Sequence, residues 1–187
     1  MSFSIDYESF PDFNRGYKKV SNQIISPLNV DKYLDSNGHL TKTVFQNTTF
    51  FELSVKNTMD VKIVDSTLIK STFTSINQVV IEHSSLNNNR FESVKNSFWK
   101  DCVIDQDQWG SISESMFDVT MCDHIQITDS TTLSDVLFNQ CPWIYDVPLT
   151  LDLPPVTVQD VRLIGPFNVD LQVQSWFDFL DAYGYIS

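Results

Sequence analysis

The chain has 187 residues, with 24 acidic side chains against 12 lysines and arginines for a net charge of −12, and 42% of it is hydrophobic, 13% aromatic. That length suits one domain with its own core rather than two, and the aromatic content excludes a disordered chain. No window approaches twenty uninterrupted apolar residues, and the opening MSFSIDYESFPDF lacks a basic cluster followed by an apolar run. Neither a transmembrane helix nor a signal peptide is therefore expected, and the expected site of synthesis is the cytoplasm.

Residues 1–43 form an irregular stretch with Pro11, Pro27 and a turn signal at Ser36-Asn37-Gly38. Phe3, Tyr7, Phe10, Phe13 and Tyr17 recur at helical spacing, but Pro11 interrupts the run. The expectation is an extended arm with at most a short helix, ending as a cap, and an arm that wraps a neighbouring subunit would have the same composition.

Residues 44–133 repeat every eighteen positions. Phe45, Ile63, Ile81, Trp99 and Phe117 share one column, and Phe50, Leu68, Leu86, Ile104 and Cys122 another. Val55, Phe73, Phe91, Trp109 and Ile127 share a third, while Thr48, Ser66, Ser84, Cys102 and Thr120 make a small one. A period near twenty with short Val-, Ile-, Thr- and Phe-rich runs broken at Asn, Asp and Ser is the pattern of a stacked solenoid. The predicted fold is all-β: a parallel, right-handed β-helix of about five coils, with like residues stacked about 4.8 Å apart.

In residues 134–187 the columns lapse, with Asp135 and Gln140 where apolar residues stood and only Tyr145 in step, so the stack is expected to end or change shape there. Apolar alternations at Val147–Leu153, Val156–Val158 and Phe167–Val173 predict strands. Trp176, Phe177, Leu180 and Tyr183 after Ser175 predict a short helix capping the open edge.

The charge is divided along the chain. Residues 1–100 hold ten acids and eleven bases, whereas residues 101–187 hold fourteen acids and a single base, Arg162, for −13. Direct binding to nucleic acid or an anionic membrane through that half is disfavoured, and a basic partner is favoured.

Two constellations bear on chemistry. Asn47, Asp65, His83 and Asp101 share a column, so His83 is expected between two carboxylates, an arrangement suited to acid–base work or to a metal. The same residue types also tolerate the left-handed conformation of a tight corner, and the corner is the preferred reading. Asp105, Asp107, Glu114, Asp118 and Asp123 are candidates for an acidic binding strip. A calcium loop is not expected, because Asp105-Gln106-Asp107-Gln108 lacks both the glycine and the closing glutamate. Cys102, Cys122 and Cys141 have no metal spacing and are read as buried free thiols.

The five-residue steps Phe45-Phe50-Val55, Ile63-Leu68-Phe73 and Ile81-Leu86-Phe91, with Ser or Thr two before some of them, resemble those of pentapeptide-repeat and other parallel β-helix proteins. The chain departs from that pattern in closing at eighteen rather than twenty residues. The resemblance covers about half the chain and concerns architecture. It implies two uses: rigid parts of viral particles and adhesins, or acidic imitation of the DNA duplex to occupy a DNA-binding enzyme.

The reading that follows is a non-enzymatic structural or interaction protein that needs no cofactor. It would be a component of a phage or virus particle or similar assembly, with protein partners, some of them basic. An acidic DNA mimic that inhibits a nucleic-acid-binding enzyme is the alternative, and a β-helix lyase or epimerase the third.

Overall fold

The computed structural model describes residues 10–123, 126–141, 143–144, 157–165 and 170–182. Its strands fall into two sheets that run up one column. The larger contains the long strands Leu40–Gln46, Ser54–Val64, Thr72–Glu82, Gln108–Asp118 and Gln126–Asn139. The smaller is built of strands of two or three residues, among them Thr49–Phe51, Thr67–Ile69, Ser85–Asn87, Val103–Asp105 and Met121–Asp123. Pairing between successive coils is parallel, and the register repeats the eighteen-residue step: Phe45 lies opposite Ile63, Ile63 opposite Ile81, and Trp99 opposite Phe117.

Side chains at alternate positions point into the column and fill it. Phe73, Phe91 and Trp109 form one file, each 1% exposed, as their common column predicts. Phe73 and Phe91 stack with centroids 5.5 Å apart, and Trp99, Phe117 and Phe138 continue a second stack at 5.3 and 5.0 Å. Burial of such rings is the main stabilising term for a fold whose coils touch only their neighbours.

Each full repeat turns sharply at residues with positive φ. One corner file is Asn47, Asp65, His83, Asp101, Val119 and Gln140; a second is Glu52, Lys70, Asn88 and Gln106; a third is Asp60, Gln78, Asn96, Glu114, Asp135 and Asp160. The corner turns the next backbone N–H away from the strand pairing, and inward-facing oxygens one coil further on accept it. Thr48 N–H donates to Ser66 Oγ at 3.0 Å, and Ser66 N–H to Ser84 Oγ at 3.1 Å. Each hydroxyl in turn donates to a carbonyl two residues before it, as Ser84 does to Glu82 at 2.7 Å. The column of small residues is thus a hydrogen-bond ladder that satisfies buried backbone donors.

The pairing extends beyond residues 44–133 in both directions. Lys18–Ser21 pairs with Leu40–Gln46, placing Val20 opposite Phe45, and Ile24–Ile25 pairs with Thr49–Phe51. The residues between form a lid, with a 3-10 turn at Val30–Lys32, Tyr33 edge-on to Phe45 at 6.2 Å, and a turn at Gly38 where φ is 76°. Phe10, Phe13 and Tyr17 form no helix; they pack on the outer faces of Val44, Val80, Phe98 and Met116. The arm, from Phe10 onward, therefore wraps its own column.

At the other end the stack, expected to end or change shape after residue 133, does not end but changes register. Trp109 faces Ile127, but Ser111 faces Thr132, so three extra residues enter this coil. They shift the columns so that Val136, Phe138 and Cys141 face inward, while Asp135 and Gln140 occupy corners with φ of 53° and 51°. Thr157–Gln159 and Val161–Ile164 add a further level on Gln126–Asn139, and Asp170–Val173 closes the sheet by antiparallel pairing. Tyr145 and the alternation from Val147 to Leu153 lie outside the described residues. The helix spans Trp176–Ala182, capped at Ser175, whose Oγ accepts the Asp178 N–H at 3.1 Å. Phe177, expected on its packed face, is 67% exposed.

Candidate functional site

The His83 column is assembled as the spacing predicts. His83 Nδ1 lies 3.7 Å from Asp65 Oδ1 and Nε2 lies 3.4 Å from Asp101 Oδ2, so the imidazole bridges both carboxylates. All three side chains are substantially solvent-exposed, and their backbones adopt φ of 48° to 50°. The geometry is that of a corner file, where a short polar side chain relieves the left-handed backbone. Nothing encloses the three groups against water, and among the described residues no cluster of His, Cys, Asp and Glu converges as a metal site requires.

The five acids grouped as one strip are separated by the coil, and that expectation is corrected. Asp105 and Asp123 do stack, as register partners on the outer face of the smaller sheet, and Asp105 accepts from Asn87 Nδ2 at 2.8 Å. Asp118 lies round the next corner and accepts from Asn139 Nδ2 at 2.7 Å. Glu114 occupies the third corner file and pairs with Lys95 at 3.1 Å. Asp107 faces inward and is fully buried. The reason is the short side-to-side period of a solenoid: residues two apart share a face only within a strand, and each corner starts a new one.

Asp107 is the one acid in a column otherwise held by Leu53, Ser71 and Asn89. That column is a second ladder, in which Leu53 N–H donates to Ser71 Oγ, Ser71 N–H to Asn89 Oδ1, and Asn89 N–H to Asp107 Oδ1 at 2.6 Å. Asn89 Nδ2 also donates to Asp107 Oδ1 at 3.1 Å, while Oδ2 is buried with no partner among the described residues. Burial pushes the carboxyl up to about 8, against the pull of the two Asn89 hydrogen bonds, so at neutral pH it is largely protonated. The eighteen-residue column placed Asp107 correctly, but its polarity disguised an interior position.

Cys102, Cys122 and Cys141 are buried and free. Cys102 and Cys141 continue the hydroxyl ladder, with Sγ 3.3 and 3.4 Å from the carbonyls two residues before them. Burial raises both thiols to about 12, which leaves no thiolate for chemistry at neutral pH.

The smaller sheet and the corner that leads into it also show a feature that the column spacing does not mark. Val103, Val119 and Met121 are 46%, 48% and 40% exposed. Elsewhere an open cleft of roughly 520 Å³ lies where the arm crosses the column, lined by Phe10, Phe13, Lys19 and Lys62 among others. Lys62 is held by Glu82 at 2.8 Å.

Because the coils follow one another along the axis, the charge division of the sequence becomes a division in space. Lysines and arginines accompany the acids from the arm up to Lys100, and beyond it the outward carboxylates Asp101, Asp105, Asp118, Asp123, Asp135 and Asp160 follow with Arg162 as their one base. Arg162, the base of that half, is bound to Asp170 through two hydrogen bonds.

No family model matches the chain, and no curated protein matches it. Among solved structures it is similar to QnrB1, described as a plasmid-mediated fluoroquinolone resistance protein. The full-length form is 8% identical over 76% of this chain and 94% of that one, with a TM-score of 0.30. Two trypsin-treated variants of it are each 10% identical, covering 78% and 77% of this chain and 92% of theirs, with TM-scores of 0.24 and 0.22. The parallel coils and their eighteen-residue register are by themselves those of a parallel β-solenoid.

Proposed function

We propose that the chain is a non-catalytic binding protein whose acidic later coils occupy a basic, nucleic-acid-binding surface on a partner protein. The observation that carries this reading is the ordering of charge along the column, from a balanced first half to −13 over residues 101–187. The scaffold spaces stacked carboxylates such as Asp105 and Asp123 by one strand separation, about 4.8 Å, on a rigid surface. A rigid array loses little entropy on binding and holds its negative field without rearrangement. His83, half-exposed on a backbone-determined corner, gives no reason to assign a reaction.

A component of a larger assembly would use its arm or its tail to reach a neighbouring subunit. The described parts of both lie on this chain's own column: the arm from Phe10 onward packs on it, and Thr157–Ile164 with Asp170–Val173 extends its sheet. Among the described residues no observation then favours a larger assembly over a single binding partner.

The test is the native mass of what co-purifies at low and at high salt, repeated with competing duplex DNA. A complex with a DNA- or RNA-binding protein that dissociates as salt rises, and that duplex DNA displaces, supports the proposal. Self-assembly that persists at high salt overturns it.

A further inference from the structure

Val119 is out of keeping with its position. The corner file it belongs to holds Asn47, Asp65, His83, Asp101 and Gln140, all polar, and all in the left-handed region with Val119 at φ 48°. A β-branched side chain is the least suited to that backbone, because both γ carbons crowd it. Burial commonly compensates for such a choice, but Val119 is 48% exposed. Folding therefore gives no reason for a valine here, either in the backbone or in the core.

Its neighbours supply one. Val103 and Met121 are register partners on the strands that follow this corner, 46% and 40% exposed, and Val119 is the exposed corner residue two before Met121, so the three outward apolar side chains adjoin where the smaller sheet begins. Asp105 and Asp123 follow Val103 and Met121 two residues on, on the same face, and Asp118 immediately precedes Val119. Asp101 stands one coil below Val119 in the corner file. One cation, Lys100, shares a rung with Asp118, and it is outnumbered by the carboxylates around the patch.

From this we infer that Val103, Val119 and Met121 form the apolar centre of the docking surface, and that its occupant is a protein segment presenting apolar side chains between lysines or arginines. The inference rests on the proposed role of the acidic half and goes further, in requiring an apolar anchor as well as charge. A desolvated apolar centre within a charged rim is how protein interfaces combine affinity with orientation. Charge complementarity selects a basic segment over an acidic or neutral one.

The test uses two synthetic peptides of equal positive charge, an oligolysine and one that alternates lysine with leucine, titrated into the full chain and into Val119→Asn at low salt. Affinity is read by fluorescence anisotropy and contact by the methyl resonances of Val103, Val119 and Met121. The expected result is about tenfold tighter binding of the leucine peptide, with shifts at these methyls. In Val119→Asn that margin should shrink, while the urea midpoint holds or rises because Asn accepts the corner. If both peptides bind equally and the variant changes nothing, the apolar anchor is refuted while the acidic role stands. If neither peptide binds, both readings fall.

Discussion

Asp107→Asn isolates the buried carboxyl. In the folded chain Asp107 Oδ1 accepts two hydrogen bonds from Asn89, and Oδ2 is buried without a partner among the described residues. The carboxyl titrates at about 8 when folded and near its ordinary 3.8 when unfolded. A raised carboxyl pKa means that the native state holds a proton the unfolded state has released. The stability this group contributes is therefore fully present below pH 4, declines as pH rises through the interval to about 8, and is level above it. Within that window the slope approaches about 1.4 kcal/mol per pH unit, so from pH 6 to 7.5 the wild type should lose roughly 2 kcal/mol through this group. Asparagine keeps the Oδ1 acceptor and cannot ionise. Urea unfolding of both proteins between pH 5 and 9 gives a difference curve in which the histidines common to both cancel. The variant should gain on the wild type steadily up to about pH 8 and then run parallel to it. Curves parallel throughout would show that Asp107 is already ionised at pH 5 in the folded chain as in the unfolded one, and would refute its burial in the column.

Phe91→Ala removes a ring stacked on Phe73 and edge-on to Trp99, and should cost about 3–5 kcal/mol in chemical unfolding through the cavity left behind. Ser84→Ala deprives the buried Ser66 N–H of its acceptor and should cost about 1–3 kcal/mol, more than the loss of a methylene-sized contact. Gly110→Ala would drive a methyl into the Glu92 carbonyl one coil below; a thermal midpoint equal to wild type would contradict the close approach of these strands. His83→Asn keeps a corner-tolerant residue and should change stability by no more than about 1 kcal/mol. A defined enzymatic activity lost in that variant with the fold intact would contradict a non-catalytic role.

Much of the fold could be read from the residues because a solenoid writes its contacts at a fixed sequence distance. A repeat of eighteen placed Phe73, Phe91 and Trp109 in one interior file and His83 between Asp65 and Asp101 without reference to any distant part of the chain. The seven extra residues between the Val20 and Phe45 levels, and the three between Trp109 and the Phe138 level, broke that arithmetic. Only strand pairing showed that the column continues through them. The face a polar residue occupies was also beyond periodicity, since an aspartate in an apolar column and one on a corner look alike until hydrogen-bond partners are known. Asp107 is inside because Asn89 below it offers donors; Asp135 is outside because an insertion moved it onto a left-handed corner. Sequence determined the period, the core files and the lopsided charge. Tertiary structure decided which acids share a surface and that Val119 stands exposed among them, because corners divide the coil into faces that no linear spacing distinguishes.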